Sequence, residues 1–273
     1  MKSFSSFDGV EIAYDVLGEG DPVVMMHGFA SDSRTNWLRP GVARAVIESG
    51  RQAVLLDARG HGESAKPRDV ASYTGGAMVR DVVCLLDYLG LGAAHTVGYS
   101  MGSFTAVRLA AAEPHLVSLV LGGIGLAQIL DGHLDGAQEI AAGLETESVE
   151  SISDSRALAF RRFADATGSD RLALAAVQRA GDLLPAVDDL ARIAVPSIVI
   201  NGVDDLLAGS PRDLAAAIAG ARWQSVPGDH LSAVVKPEFR QALVNFLDGL
   251  ASPTRSRATA CLGPAVSDEV PAT

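Results

Sequence analysis

Apolar runs and helical periods alternate along most of the chain. Pro22-Val23-Val24-Met25-Met26-His27 and Ala53-Val54-Leu55-Leu56-Asp57 are continuous apolar runs, the pattern of strands buried on both faces of a parallel sheet. Thr96-Val97-Gly98-Tyr99, Leu116 to Leu121, Val195 to Ile200 and Trp223 to Val226 read as further strands. Between them lie helical patterns over about 35–49, 75–90, from Ser100 onward, 211–219 and 235–250. Met78, Val82, Leu85 and Leu89 share one helical face, as do Phe239, Leu243, Phe246 and Leu250. Two short strands near 3–7 and 10–17, joined by a turn at Asp8-Gly9, precede this series. Strand and helix in alternation predict an α/β fold with parallel strands.

The alternation stops between about 126 and 185, where the sequence is helix-compatible throughout, and resumes afterwards. The expected organisation is therefore a core in two parts, 1–125 and 186–250, with a helical insertion over 126–185. Residues 251–273 contain Pro253, Pro264 and Pro271 and no aromatic residue, and are expected to be a disordered tail.

Composition narrows the class. A chain of 273 residues with 48% apolar and 20% charged residues can build a core without disulfide or metal staples. Its formal net charge of −11 and lack of a polybasic run argue against nucleic acid and anionic membranes as partners. The two cysteines, Cys84 and Cys261, form no redox or zinc pattern and fit a reducing compartment. The N-terminus has no apolar signal region, and the longest apolar stretch, Leu116 to Leu130, is 15 residues broken by glycines, where a membrane span needs about 20. These features predict a soluble, cytoplasmic protein.

The sharpest chemical signal is Gly98-Tyr99-Ser100-Met101-Gly102, a Gly-x-Ser-x-Gly pattern between a predicted strand and a predicted helix. In such a turn the serine is lifted out of the sheet beside the free N–H groups of a helix N-terminus, and its neighbours must be small. A serine nucleophile needs a base, and the base an orienting acid. Of six histidines, His27 and His61 lie in glycine-containing turns, His95 and His115 at strand starts, and His133 in the insertion. His230 follows the last strand, on the side of the sheet where Ser100 is expected. The segment after the Val195–Ile200 strand offers Asp204 and Asp205 as acids. His27-Gly28-Phe29 follows a buried strand, and the N–H groups of Phe29 and Met101 are expected to form an oxyanion hole. Asp57-Ala58-Arg59-Gly60-His61-Gly62-Glu63-Ser64 reads as a hydrogen-bonded loop bracing the site, with a direct role for His61 as the minority reading.

Taken together, these residues resemble the α/β-hydrolase-fold serine hydrolases, specifically their carboxylesterase-like branch. The resemblance covers about residues 10–250 through five motifs in order: His-Gly-Phe, Asp-x-Arg-Gly-His-Gly-x-Ser, Gly-Tyr-Ser-Met-Gly, Gly-x-x-Asp and Pro-Gly-Asp-His. It implies a mostly parallel sheet flanked by helices, with a small helical cap over 126–185 between strands 6 and 7. Its Gly-x-x-Asp spacing selects Asp205 over Asp204, completing Ser100, Asp205 and His230 as the catalytic set. Ser103, where many members carry a second glycine, is a departure expected to alter packing under the helix and not the chemistry.

The implied reaction is hydrolysis of a small-molecule carboxylic ester of small or medium groups through an acyl-enzyme, without metal or cofactor. Phe29, Tyr99, Met101 and Leu231 are expected to line an apolar acyl pocket. The insertion offers Leu126, Ile129, Leu130, Leu134, Phe160 and Phe163, of which Ile129 and Phe160 are the expected substrate-binding residues. Serine at the elbow separates the chain from the epoxide hydrolase and dehalogenase branches, which carry aspartate there. Carbon–carbon bond hydrolases, lactonases, thioesterases and perhydrolases use the same machinery and stay open. So does a ligand-binding protein of this fold without catalysis. The oligomeric state is not read from the sequence.

Overall fold

A computed structural model describes residues 1–113, 116–132, 134 and 136–250. His115, His133, Cys261 and the tail 251–273 lie outside the described residues. Eight strands form one sheet: β1 (Lys2–Ser5), β2 (Glu11–Leu17), β3 (Asp21–Met26), β4 (Arg51–Leu56), β5 (Ala94–Tyr99), β6 (Leu116–Gly122), β7 (Ser197–Gly202) and β8 (Arg222–Val226). Their spatial order is β1-β2-β4-β3-β5-β6-β7-β8. The β1–β2 and β2–β4 pairs are antiparallel and the rest parallel, so β5 runs through the middle of the parallel part.

Apolar side chains on β3 and β4 divide by parity between two cores, which is why those strands read as unbroken apolar runs. Val24, Met26, Val54 and Leu56 join one core, and Val23, Met25, Ala53 and Leu55 the other. The first core is closed by α2 (Ala77–Tyr88) and α3 (Met101–Ala112), the second by α1 (Val42–Glu48) and α10 (Pro237–Asp248). Val82 and Leu85 of α2, and Phe239, Leu243 and Phe246 of α10, are all buried.

One predicted helix is broken. The segment expected to be helical over about 35–49 is a π-helical turn (Arg34–Leu38) followed by α1. Gly41 between them stands at φ 77°, outside the right-handed helical region, and Pro40 has no N–H to continue the ladder.

Between β6 and β7 the described residues form α4 (Leu126–Leu130), α5 (Ala137–Glu145), α6 (Ser155–Thr167), α7 (Arg171–Ala180) and α8 (Val187–Arg192). Asp154 and Asp170 cap α6 and α7 by accepting from N–H groups of their first turns. A third core joins this segment to the sheet side: Ile140, Leu144, Ala164, Leu174 and Val177 pack with Phe29, Met78 and Met101. Polar ties reinforce it. Thr167 Oγ1 donates to the carbonyl of Ala30 at 3.2 Å, and Asp182 accepts from the Gly76 N–H at 2.7 Å and pairs with Arg108 at 3.2 Å. The segment is thereby held directly above the carboxyl ends of β3 and β5. Among the described residues no helix is long and apolar enough to cross a membrane.

Candidate active site

Ser100 joins β5 to α3 with φ 52° and ψ −116°, a conformation that L side chains rarely adopt. The flanking glycines are obligatory for steric reasons. A Cβ on Gly98 would stand 2.4 Å from the carbonyl oxygen of Gly102, and one on Gly102 would stand 2.1 Å from that of Met26. The elbow is clamped to β6 as well. The Ser100 N–H donates to the Gly122 carbonyl at 2.8 Å. Ser103 Oγ donates to that carbonyl at 2.8 Å and accepts from the Gly122 N–H at 3.0 Å. Its hydroxyl thus spends its hydrogen bonds holding the elbow against the neighbouring strand.

His230 follows β8, and Asp205 follows β7. His230 Nε2 lies 3.0 Å from Ser100 Oγ, and its Nδ1 lies 3.0 and 3.2 Å from the two oxygens of Asp205. Asp205 is buried, and its Oδ1 also accepts from the N–H groups of Leu207 at 3.1 Å and Ala208 at 2.9 Å. Asp204, left open by the residues alone, is exposed. Tyr99 backs the histidine, its hydroxyl donating to the His230 carbonyl at 2.7 Å. Burial, then the negative charges of Asp205 and Asp229, push the Tyr99 phenol up, so it stays a donor. An imidazole within reach of a hydroxyl on one side and a carboxylate on the other can accept the hydroxyl proton and be stabilised when charged.

Gly28 has no left-handed φ, and a Cβ there would meet only ordinary contacts, the nearest being Ser100 Cβ at 3.4 Å. Its N–H is held by Asn36 Oδ1 at 2.8 Å. The left-handed residue of the turn after β3 is Ala30, at φ 57°. Asn36 is not legible in the sequence, because a single asparagine in a helical stretch carries no signal of a contact made eight residues away.

The Asp57–Ser64 loop is a brace. Asp57 accepts from the N–H groups of Ser33 and Glu63, both at 2.8 Å. Arg59 is fully buried and bidentate to Asp81 at 2.7 Å, with Asp8 at 2.9 Å. His61 is fully buried against His27 and Phe29, and its Nε2 has no hydrogen-bond partner among the described residues. Burial, reinforced by His27, lowers the His61 pKa to about 3; burial, reinforced by Arg51, lowers that of His95 to about 4. Both are neutral in the folded protein and titrate near their ordinary value when unfolded. The unfolded chain therefore binds more protons below about pH 6.5. Stability is expected to fall as pH drops from about 6.5 to 5, by up to about 1.4 kcal/mol per pH unit for each histidine. Denaturant titrations across that window check this, and a slope unchanged by His61→Asn would contradict it.

Two cavities meet at Ser100 and His230. The larger, about 270 Å³, is lined by Phe29, Met101, Phe104, Leu134, Phe160 and Leu183 among others. The smaller, about 90 Å³, is lined by Phe29, Asn36, Tyr99, Phe163, Leu231 and Val234 among others. Of the expected pocket residues, Phe29, Met101 and Phe160 thus reach the larger, and Phe29, Tyr99, Phe160 and Leu231 the smaller. Ile129 reaches neither. It is 1% exposed and packed into the core with Leu190 and Ile193, because α4 turns that face toward the sheet. Leu130 is exposed, and Leu126 packs against the same core as Ile129. Leu206 and Leu207 also line the larger cavity. They follow Asp205 in sequence, which was the available hint.

A family model described as the alpha/beta hydrolase fold matches residues 21–127. The chain is an α/β-hydrolase-fold protein, and its sheet order and helical layers are those just described. It is 28% identical over 265 residues to a putative non-heme bromoperoxidase, BpoC, of Mycobacterium tuberculosis, covering 87% of this chain and 97% of that one. It is 37% identical over 160 residues to the sn-1-specific diacylglycerol lipase ABHD11 of Mus musculus, covering 56% and 48% respectively. The crystal structure of a hydrolase from Pseudomonas aeruginosa PA01 superposes with a TM-score of 0.72 at 26% identity, covering 90% of this chain and 97% of that one.

Proposed function

We propose that the protein is a serine hydrolase that cleaves small-molecule carboxylic esters of small or medium acyl and alcohol groups in the cytoplasm. The observation that carries this reading is the hydrogen-bonded series Asp205–His230–Ser100 opening into two largely apolar cavities. Ser100 attacks the ester carbonyl while His230 takes its proton. Asp205 fixes His230 in the tautomer with Nδ1–H and stabilises the imidazolium. The N–H of Phe29 and that of Met101, the first residue of α3 and so without an intrahelical acceptor, receive the oxyanion. His230 returns its proton to the departing alcohol and then activates water to free the acid. The lipase name of the mouse relative supports ester chemistry, and the two cavities give room for one group on each side of the ester.

Hydrolysis of p-nitrophenyl esters of increasing acyl length, with wild type and Ser100→Ala side by side, tests the reading. Turnover is expected to be highest for short and medium acyl chains and to be lost in Ser100→Ala, together with labelling by a fluorophosphonate. A folded wild type that neither turns over esters nor takes the label overturns it. The bromoperoxidase name of the M. tuberculosis relative favours a second reading on the same residues. There, hydrogen peroxide replaces water in the deacylation step and the product is a peracid.

A further inference from the structure

Gln178 lies on the buried face of α7, one turn after Leu174. It is 5% exposed, and its side chain makes no hydrogen bond to any described residue. The amide is not sealed inside protein but open to the cavities it borders, so its donors and acceptor are free for water or for a bound group. Gln178 borders the larger of the two cavities at Ser100 and His230, and also a third cavity, of about 340 Å³, beyond it. Leu134 and Leu183 are the other two residues common to both cavities. These three side chains therefore form the wall between them, and the glutamine is its polar member. The other polar side chains of the larger cavity each have at least one partner. Gln128 Oε1 accepts from the Gly125 N–H at 3.0 Å, and Asp131 and Arg156 have partners.

We infer that Gln178 is a specificity-determining residue that hydrogen-bonds an oxygen atom on the ester group occupying the larger cavity. The preferred substrates are then esters carrying a carbonyl or hydroxyl group away from the scissile bond, not plain alkyl esters. An apolar cavity alone disfavours such a group, because entering it strips the oxygen of water. A primary amide reverses this preference, since its N–H₂ donates to a carbonyl and its oxygen accepts from a hydroxyl. The inference rests on the ester-hydrolase reading above and specifies which esters that site takes.

The test compares substrates of equal length with and without one oxygen. One arm uses p-nitrophenyl esters of keto and hydroxy acids against those of the parent alkanoic acids, with the oxygen moved along the chain. The other uses acetates of keto and hydroxy alcohols against alkyl acetates, and separates the acyl from the alcohol side. In one arm, at one chain position, the oxygenated ester is expected to exceed its parent by about fivefold or more in kcat/KM, with the difference in KM. Gln178→Met, of similar length but with no donor and only a weakly accepting sulfur, should bring that ratio to about one or below. Gln178→Glu should keep the preference for the hydroxyl and lose that for the ketone, a split that loosened packing does not produce. Fluorophosphonate labelling of each variant counts competent sites, so the ratios refer to folded enzyme. Hydrolysis of both substrate types without preference in either arm, or a preference that survives Gln178→Met, overturns this inference alone. Absence of both turnover and labelling overturns the ester-hydrolase reading and this one with it.

Discussion

Replacing His230 by alanine is expected to lower kcat for ester hydrolysis about a thousandfold or more, with little change in KM. The geometry behind this is one imidazole bridging Ser100 Oγ at 3.0 Å and Asp205 Oδ2 at 3.0 Å. Without it the hydroxyl keeps its proton and the departing alcohol receives none. Asp205→Asn is expected to cost about as much, and possession of the right shape does not protect it. Its carboxylate accepts from His230 and from the N–H groups of Leu207 and Ala208 together. An amide has one acceptor oxygen, so if that oxygen serves the backbone, its N–H₂ faces His230 and turns the imidazole to the wrong tautomer. Combining His230→Ala with Ser100→Ala should give no further loss, because residues that act as a unit are not additive. Kinetics on p-nitrophenyl butyrate would measure all of these. More than a tenth of wild-type kcat surviving in His230→Ala would remove it from the proposed role.

The largest loss of stability is expected at Asp81. Arg59 and Asp81 are both essentially inaccessible, joined by two bonds of 2.7 Å, while the second partner, Asp8, is part-exposed. Burial alone would push the Arg59 guanidinium down, but Asp81 and Asp8 hold it up, so it stays charged. Burial raises the Asp81 carboxyl despite Arg59 beside it, which shows how much desolvation the pair carries. Asp81→Ala removes the buried partner and leaves the buried cation with only the part-exposed Asp8, and the expected cost is about 3 kcal/mol. For a domain of this size that lowers Tm by roughly 10 °C. Joint replacement by apolar residues, Arg59→Met with Asp81→Leu, should recover much of the loss, since it removes the charge and its desolvation together. Thermal unfolding of the two variants decides it. A double variant no more stable than Asp81→Ala would mean that the loop's hydrogen bonds matter more than the buried charge. The loss should reach the site too, because Arg59 anchors the loop whose His61 packs on His27 and Phe29.

Much of this molecule is legible in one dimension. A strand buried on both faces must be apolar at every position, so β3 and β4 announce themselves, and the helices that cover them keep the period of 3.6. The elbow is legible for a stronger reason. Its glycines are demanded by carbonyl oxygens that stand 2.4 and 2.1 Å from where a Cβ would be, and no other residue type satisfies that. Chain order then places Ser100, Asp205 and His230 at the ends of β5, β7 and β8, on one side of the sheet, because parallel strands share a direction.

What the chain order does not contain is where a side chain points once helices pack. Ile129 and Phe160 look alike as apolar residues of the 126–185 segment, yet α4 buries Ile129 in the sheet-side core while α6 turns Phe160 onto Phe29 and the cavity. Asp204 and Asp205 are neighbours, and only the turn after β7 decides that one faces His230 and the other solvent. Asn36 and Gln178 were invisible for the same reason, since each acts on atoms that folding alone brings near. The strands, the elbow and the order of Ser100, Asp205 and His230 can be read along the chain, because they depend on local sterics and chain direction. Which aspartate faces His230, which side chains wall the cavities and where Gln178 points emerge only on folding, because they depend on contacts between segments far apart along the chain.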